Sequence, residues 1–71
     1  MATFKEITRV KVNGARDIVA SSVTEDGEVK GFNFNSYVRT NKYTGFTSGG
    51  VFVPAEKIQE FGELVRTVLA S

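Results

Sequence analysis

The segment Glu28–Thr40 restricts the fold most strongly, because its side chains alternate between two kinds from Phe32 onward. One set is mainly apolar and consists of Phe32, Phe34, Ser36 and Val38. The other set is polar or amphipathic and consists of Asn33, Asn35, Tyr37 and Arg39. Successive side chains of a strand point to opposite faces of a sheet. The pattern therefore predicts a long third strand with one core face and one solvent or ligand face.

Turn signals before this segment predict two further strands. Asn13-Gly14 predicts a tight hairpin, since both residues tolerate positive φ. Thr24–Gly27 predicts the next turn because it is rich in turn-forming residues. The segments Thr3–Val12 and Ala15–Val23 are therefore predicted to be the first and second strands. Gly31 is predicted to mark a bend or a bulge in the third.

The last part of the chain predicts a short strand and then the only helix. Gly50–Val53 follows a Gly-rich polar loop and is predicted to be the fourth strand. Pro54 opens a predicted helix over Ala55–Ala70, because proline loses no hydrogen bond at a helix start. The sequence thus predicts one domain over residues 1–71 with an α+β fold. Its curved four-stranded antiparallel meander is followed by one C-terminal helix, which leaves the other sheet face free.

The predicted helix carries a broad apolar stripe. The stripe consists of Ile58, Phe61, Leu64, Val65, Val68 and Leu69. One sheet face needs only part of this stripe, and a 71-residue chain buries a limited core. We therefore expect a homodimer through Phe61, Leu64, Val65 and Val68. The alternative is a stripe fully used by the chain's own sheet.

The composition argues against catalysis. The sequence contains no His and no Cys, which removes the commonest general base, thiol and metal ligand. Thr47–Gly50 lacks the spacing of a phosphate-binding P-loop. We expect a protein that is not an enzyme and that holds no metal or cofactor. There is no apolar run of membrane-span length and no signal peptide, so an intracellular location is expected.

The middle of the chain combines cations with aromatic rings. Val29–Ala55 contains three cations but no Asp or Glu, although the net charge of the chain is only +1. Phosphates attract cations, and a base stacked on an aromatic ring contributes about 1–3 kcal/mol. The candidate nucleic-acid-binding residues are Lys30, Asn33, Asn35, Tyr37, Arg39, Lys42, Tyr43, Phe46 and Thr47. Alternatively, Tyr43 and Phe46 pack the loop onto the sheet, and each cation is simply solvated.

Two segments resemble a known family. They are Phe32-Asn33-Phe34-Asn35-Ser36-Tyr37-Val38 and Lys42-Tyr43-Thr44-Gly45-Phe46-Thr47-Ser48-Gly49-Gly50-Val51-Phe52-Val53, followed by a helix. This arrangement resembles the transcriptional positive cofactor four family, which includes short bacterial and phage members. The segment Gly50–Glu56 and the helix after it also resemble the purine-rich-element-binding family, which has the same element order and ligand class.

The resemblance implies a helix-mediated homodimer that binds single-stranded DNA without sequence preference. It implies a role in transcription regulation, DNA replication or recombination, in the cytoplasm or nucleoid of a bacterium or a phage-infected cell. The chain departs from the family at two places. Asn33-Phe34-Asn35 stands where the family usually has Asp-Ile-Arg, and Ser48-Gly49 stands where it often has Lys-Lys. These departures imply weaker affinity, or binding through Lys30, Arg39, Lys42 and the rings.

Two other functions fit the same predicted fold. A protein-interaction module would hold a polypeptide on the open sheet face or along a strand edge, and the low net charge favours it. An RNA-binding protein would bind single-stranded RNA as tightly as DNA. For the DNA-binding function we expect an affinity that falls steeply with salt.

Overall fold

The computed structural model describes all residues from Met1 to Ser71 and confirms the α+β class. The elements are β1 (Thr3–Asn13), β2 (Arg16–Glu25), β3 (Glu28–Arg39), β4 (Thr44–Phe46), β5 (Val51–Pro54), a 3-10 turn (Ala55–Lys57) and α1 (Ile58–Ala70). All pairings are antiparallel, in the order β1-β2-β3, and both β4 and β5 pair with β3. The predicted meander and its C-terminal helix are therefore confirmed.

The fourth position of the sheet is divided between two short strands. β5 pairs with residues 31–34 of β3, and β4 pairs with residues 37–39. The sequence predicted a loop where β4 lies, and this prediction was wrong. A tight turn causes the difference: the Thr40 amide donates to the Tyr43 carbonyl at 2.8 Å, and the Thr40 hydroxyl accepts from the Tyr43 amide at 3.0 Å. This turn reverses the chain directly after β3, so Thr44–Phe46 can pair with it.

The two hairpin turns differ from each other in conformation. Asp26 and Gly27 have φ values of 54° and 77°, as a type I′ turn requires. Asn13-Gly14 lies at a hairpin as predicted, but neither residue has positive φ, so that part of the prediction was wrong. There the Asn13 side-chain oxygen accepts a 2.8 Å hydrogen bond from the Ala15 amide, which is an Asx-type turn.

Irregularities in pairing bend the two long hairpins. The register of β1 against β2 shifts at Ile7 and at Val12, and the register of β2 against β3 shifts at Lys30. Each shift places one extra residue on one strand, which increases the local twist and bend. The irregularity at Lys30 lies beside Gly31, so the predicted bulge or bend at this glycine is confirmed.

The two sheet faces have different surroundings. The Phe34 ring stacks on the Phe61 ring of α1 at a centroid distance of 4.9 Å, which places the helix on the Phe34 side. We call the other side the open face, because no helix covers it. Strand register places on it Phe4, Glu6, Arg9, Lys11, Asp17, Val19, Ser21, Val23, Asn33, Asn35, Tyr37, Arg39, Thr44, Phe46 and Phe52. The buried apolar residues of the chain number three. Val53 lies on the helix side, but Val19 and Val23 lie on the open face, where side chains of the bent sheet itself must bury them. The expectation of a single core face beneath the helix was therefore wrong.

Candidate nucleic-acid interface

An aspartate between two arginines forms the centre of the open face. Asp17 lies on β2 and is only 6% exposed. Its carboxylate accepts a 2.9 Å hydrogen bond from Arg9 on β1. It also accepts two hydrogen bonds from Arg39 on β3, at 3.0 and 3.1 Å. Because β2 lies between β1 and β3, the strand order together with the antiparallel register brings these three side chains together.

An aromatic pair lies directly beside this cluster. Tyr37 is opposite Asp17 in the β2–β3 register and opposite Phe46 in the β3–β4 register. The Tyr37 and Phe46 rings meet edge to face at 5.2 Å. The Arg9 guanidinium lies 5.2 Å from the centroid of the Tyr37 ring, within cation–π range. Rings and cations are therefore adjacent on the sheet face opposite the helix.

The cations of the open face are largely neutralised by carboxylates. Arg9 also binds Glu6 through two hydrogen bonds of 2.7 and 2.9 Å. Hydrogen bonds from Arg39 and then Arg9 lower the pKa of Asp17 to about 2. The hydrogen bond from Arg9 likewise lowers the pKa of Glu6. Both acids are therefore ionised at neutral pH, and the four side chains together carry no net charge.

Acid should weaken the fold through these carboxylates. The pKa of Asp17 is about 2 in the folded protein, against an ordinary value of 3.8. The ionised carboxylate therefore makes its full contribution to the stability of the fold at a pH above the ordinary pKa. That contribution is lost as the pH falls from the ordinary value through about 2. Urea midpoints measured across this range should fall more for the parent protein than for Asp17→Asn. Equal falls in both proteins would show that Asp17 is not the responsible group.

Asn35 and Thr47 hold the loop after β4 against the sheet. The Asn35 amide nitrogen donates to the Thr47 carbonyl at 3.0 Å, and its oxygen accepts from the Thr47 hydroxyl at 3.0 Å. The same oxygen accepts from the Ser36 amide at 2.8 Å. The Tyr43 hydroxyl donates to the Phe46 carbonyl at 2.6 Å. These side chains therefore have structural partners inside the chain.

The structure brings five of the nine predicted nucleic-acid-binding residues onto one surface. Asn33, Asn35, Tyr37, Arg39 and Phe46 share the open face, and Thr47 follows at its margin. The other three lie apart.

Lys30 lies in the β3 bulge and forms a 2.6 Å ion pair with Glu28, which raises the pKa of the lysine. Lys42 and Tyr43 lie exposed in the turn between β3 and β4.

Sequence reasoning missed the contribution of the first two strands to this face. The missed residues are Phe4, Glu6, Arg9, Lys11, Asp17 and Ser21. A charge count along Val29–Ala55 finds no acid, yet strand pairing carries Glu6 and Asp17 next to Arg9 and Arg39. Both alternate sets of side chains along β2 mix apolar and polar residues, so no pattern in the sequence marks Asp17 and Ser21 as part of this face.

The residues predicted at a dimer interface differ in what they contact. Phe61 is half-buried and stacks on Phe34 of its own chain. Leu64, Val65 and Val68 are exposed, at 58, 43 and 63%. The structure contains no cluster of three or more His, Cys, Asp or Glu side chains that could hold a metal ion. The single helix is too short and too polar to cross a bilayer.

No protein-family model, curated protein or solved structure matches the chain. The two family resemblances described above therefore remain expectations from the sequence. The features of the open face that bear on function are its rings, its compensated arginines and its polar side chains.

Proposed function

We propose that the protein binds single-stranded DNA without strong sequence preference through its open face. The supporting observation is the adjacency of the Tyr37–Phe46 ring pair to Arg9 and Arg39 on the sheet face opposite the helix. Bases of an unpaired strand stack on rings, and the phosphates between them bind cations. A duplex hides its base faces, so this surface favours unpaired DNA.

Charge compensation changes the expected salt dependence. Each phosphate contact to a single strand contributes a slope of about −0.7 to the logarithm of affinity against that of salt. Glu6 and Asp17 compensate two arginines, whereas Lys11 and Lys42 form no ion pair. We therefore expect a shallower slope than the sequence suggested, with the rings carrying much of the affinity.

Fluorescence anisotropy with a labelled oligothymidine at low salt tests this function. We expect Tyr37→Ala to weaken binding roughly fivefold or more, since one stacked base contributes about 1–3 kcal/mol. Lys42→Ala should weaken binding less and reduce the salt slope by about 0.7. Lys57→Ala is the matched control, because Lys57 is exposed in the 3-10 turn and pairs with Glu60. Absence of binding by the parent protein would refute the proposal.

A role in transcription regulation, or in DNA replication or recombination, follows from this proposal, because each of these processes exposes unpaired strands. An RNA titration in the same assay separates DNA from RNA preference. Equal affinities for the two polymers would favour an RNA-binding function.

A protein-interaction module is the rival function, and two observations favour it. The four charged side chains at the centre of the open face cancel one another. In addition, β1 pairs only with β2, so the stretches of its outer edge outside the bulges at Ile7 and Val12 are available for β-augmentation by a short extended peptide. Failure of every oligonucleotide to bind would make this rival the preferred function.

We also propose that two copies pair through α1. The chain buries very few apolar side chains, and small domains need additional stabilisation. The exposed part of the helical stripe consists of Leu64, Val65, Val68 and Leu69, and Val10 and Ile18 of the helix-side sheet face are also exposed. A second copy offers a matching apolar surface, because a two-fold interface uses the same patch twice. Such pairing would present two open faces to one strand.

The mass in solution tests this pairing. We expect light scattering to give twice the chain mass of 7.8 kDa for the parent and a shift towards 7.8 kDa for Val68→Glu. The physical reason is that a buried, unpaired carboxylate strongly disfavours association. Thr67→Glu adds the same charge on another side of the helix and should leave the mass unchanged. A parent protein that is monomeric at tens of micromolar would contradict the pairing.

A further inference from the structure

The open face contains a cleft beside the Tyr37–Phe46 ring pair. It has a volume of about 270 Å³ and is lined by Phe4, Ser21, Asn33, Asn35 and Phe46. Phe4 comes from β1 and Phe46 from β4, so aromatic rings from two different edges of the sheet border the cleft. Both rings are largely exposed, at 61 and 46%. The remaining lining residues come from the two central strands.

Two polar side chains in this cleft have no partner within the chain. Asn35 uses its amide group on Thr47 and Ser36. Neither the Asn33 carboxamide nor the Ser21 hydroxyl forms a hydrogen bond in the protein, although Ser21 is only 8% exposed. No fully buried side-chain polar atom of the structure lacks a partner, so both groups remain reachable from the cleft. The cleft therefore offers one donor–acceptor amide and one hydroxyl.

The chemistry of the lining identifies the class of ligand. No charged side chain lines the cleft, so it does not suit a phosphate. Aromatic rings suit a flat unsaturated ring, since stacking is favourable on either ring. A carboxamide offers a donor and an acceptor side by side, which matches the edge of a nucleobase.

We infer that this cleft binds one unpaired nucleobase, with Phe4 or Phe46 stacking on it and Asn33 and Ser21 contacting its edge. The inference rests on the proposed function and adds a defined base site to it. The Asn33 amide can turn over and exchange its donor and acceptor, so the site tolerates several bases. Base insertion is therefore compatible with binding that has little sequence preference.

Paired anisotropy titrations with labelled decathymidylate and an abasic strand of equal length test the inference. The two strands carry the same phosphates and differ only in their bases. We expect the parent protein to bind decathymidylate roughly fivefold or more tightly than the abasic strand. Phe4→Ala and Asn33→Leu should each reduce this ratio by weakening the binding of decathymidylate more than the binding of the abasic strand. Asn41→Leu is the matched control, because Asn41 is exposed in the β3–β4 turn.

The outcomes separate the inference from the function on which it rests. Failure of both strands to bind would overturn the proposed function and the base site together. Equal affinity for both strands would leave DNA binding intact and overturn the base site. A preference for decathymidylate that neither cleft variant reduces would place the bases elsewhere, for example on Tyr37, and would also overturn it. Phe4 is largely exposed, so Phe4→Ala keeps a folded protein for the comparison.

Discussion

Asp17→Asn should bind single-stranded DNA roughly tenfold more tightly than the parent protein at low salt. One new charge-assisted hydrogen bond to a phosphate contributes about 1.5 kcal/mol, which corresponds to this change in affinity. In the parent, the Asp17 carboxylate receives three hydrogen bonds from Arg9 and Arg39. A neutral amide of the same size no longer compensates the positive charges of the two arginines. Arg39 has no other acidic partner, so its guanidinium becomes available to a phosphate.

The same substitution should steepen the salt dependence and reduce stability. One additional phosphate contact changes the salt slope by about −0.7. Stability should fall, because two guanidinium groups then lie close together without their shared anion, and urea unfolding measures this loss. Affinity and stability therefore change in opposite directions, which a general folding defect would not produce. The DNA titrations should be carried out well below the melting temperature of the variant, so that the protein remains folded.

Asp26→Asn provides the matched control for this prediction. It removes the same charge, but from the exposed turn between β2 and β3. Asn tolerates the positive φ of 54° at this position, so the turn should be preserved. Net charge alone would raise the affinity of both variants equally. If Asp17→Asn binds no more tightly than Asp26→Asn, the two arginines are not phosphate ligands.

Gly31→Ala should lower the free energy of unfolding by about 3 kcal/mol, at the upper end of the usual cost of overpacking. A Cβ atom at this position would lie 2.5 Å from the Val53 carbonyl oxygen and 2.5 Å from Cζ of the Phe52 ring. The Phe52 ring could turn away, but the oxygen belongs to the backbone of β5. Relief therefore requires β5 to move away from β3, and β5 carries Val53, one of the three buried apolar residues.

Gly49→Ala separates this steric effect from the general effect of replacing glycine. A Cβ atom at Gly49 meets nothing within 4 Å, and its φ is not positive. Its stability should change by less than about 1 kcal/mol, and in the stabilising direction. Urea unfolding of the three proteins at one concentration gives the comparison. If Gly31→Ala is as stable as the parent, β5 does not approach β3 this closely.

Much of the architecture could be predicted from local patterns. The alternation along β3 correctly separated Phe34, which contacts the helix, from Tyr37 and Arg39 on the open face. Pro54 correctly marked the change from strand to helix, although one 3-10 turn precedes α1. These features depend on neighbours within a few residues, which a sequence displays directly.

The electrostatics of the candidate site could not be predicted in the same way. Asp17 and Arg39 are 22 positions apart, and only the antiparallel register brings them together. A charge count along the sequence therefore found a positive segment where the folded surface is balanced. The conformation of the Asn13 turn could not be predicted either. An Asn-Gly hairpin can close through positive φ angles or through a hydrogen bond to the Asn side chain, and this chain uses the second.

The bulges in β1 have a consequence for the behaviour of the protein at high concentration. A straight, apolar outer strand of 11 residues would act as a template for the indefinite addition of further strands from other molecules. The irregularities at Ile7 and Val12 interrupt that template at two points, and Lys5, Arg9 and Lys11 place charges along it. We therefore expect the exposed edge of β1 to resist the repeated addition of strands from other molecules, even in concentrated solution.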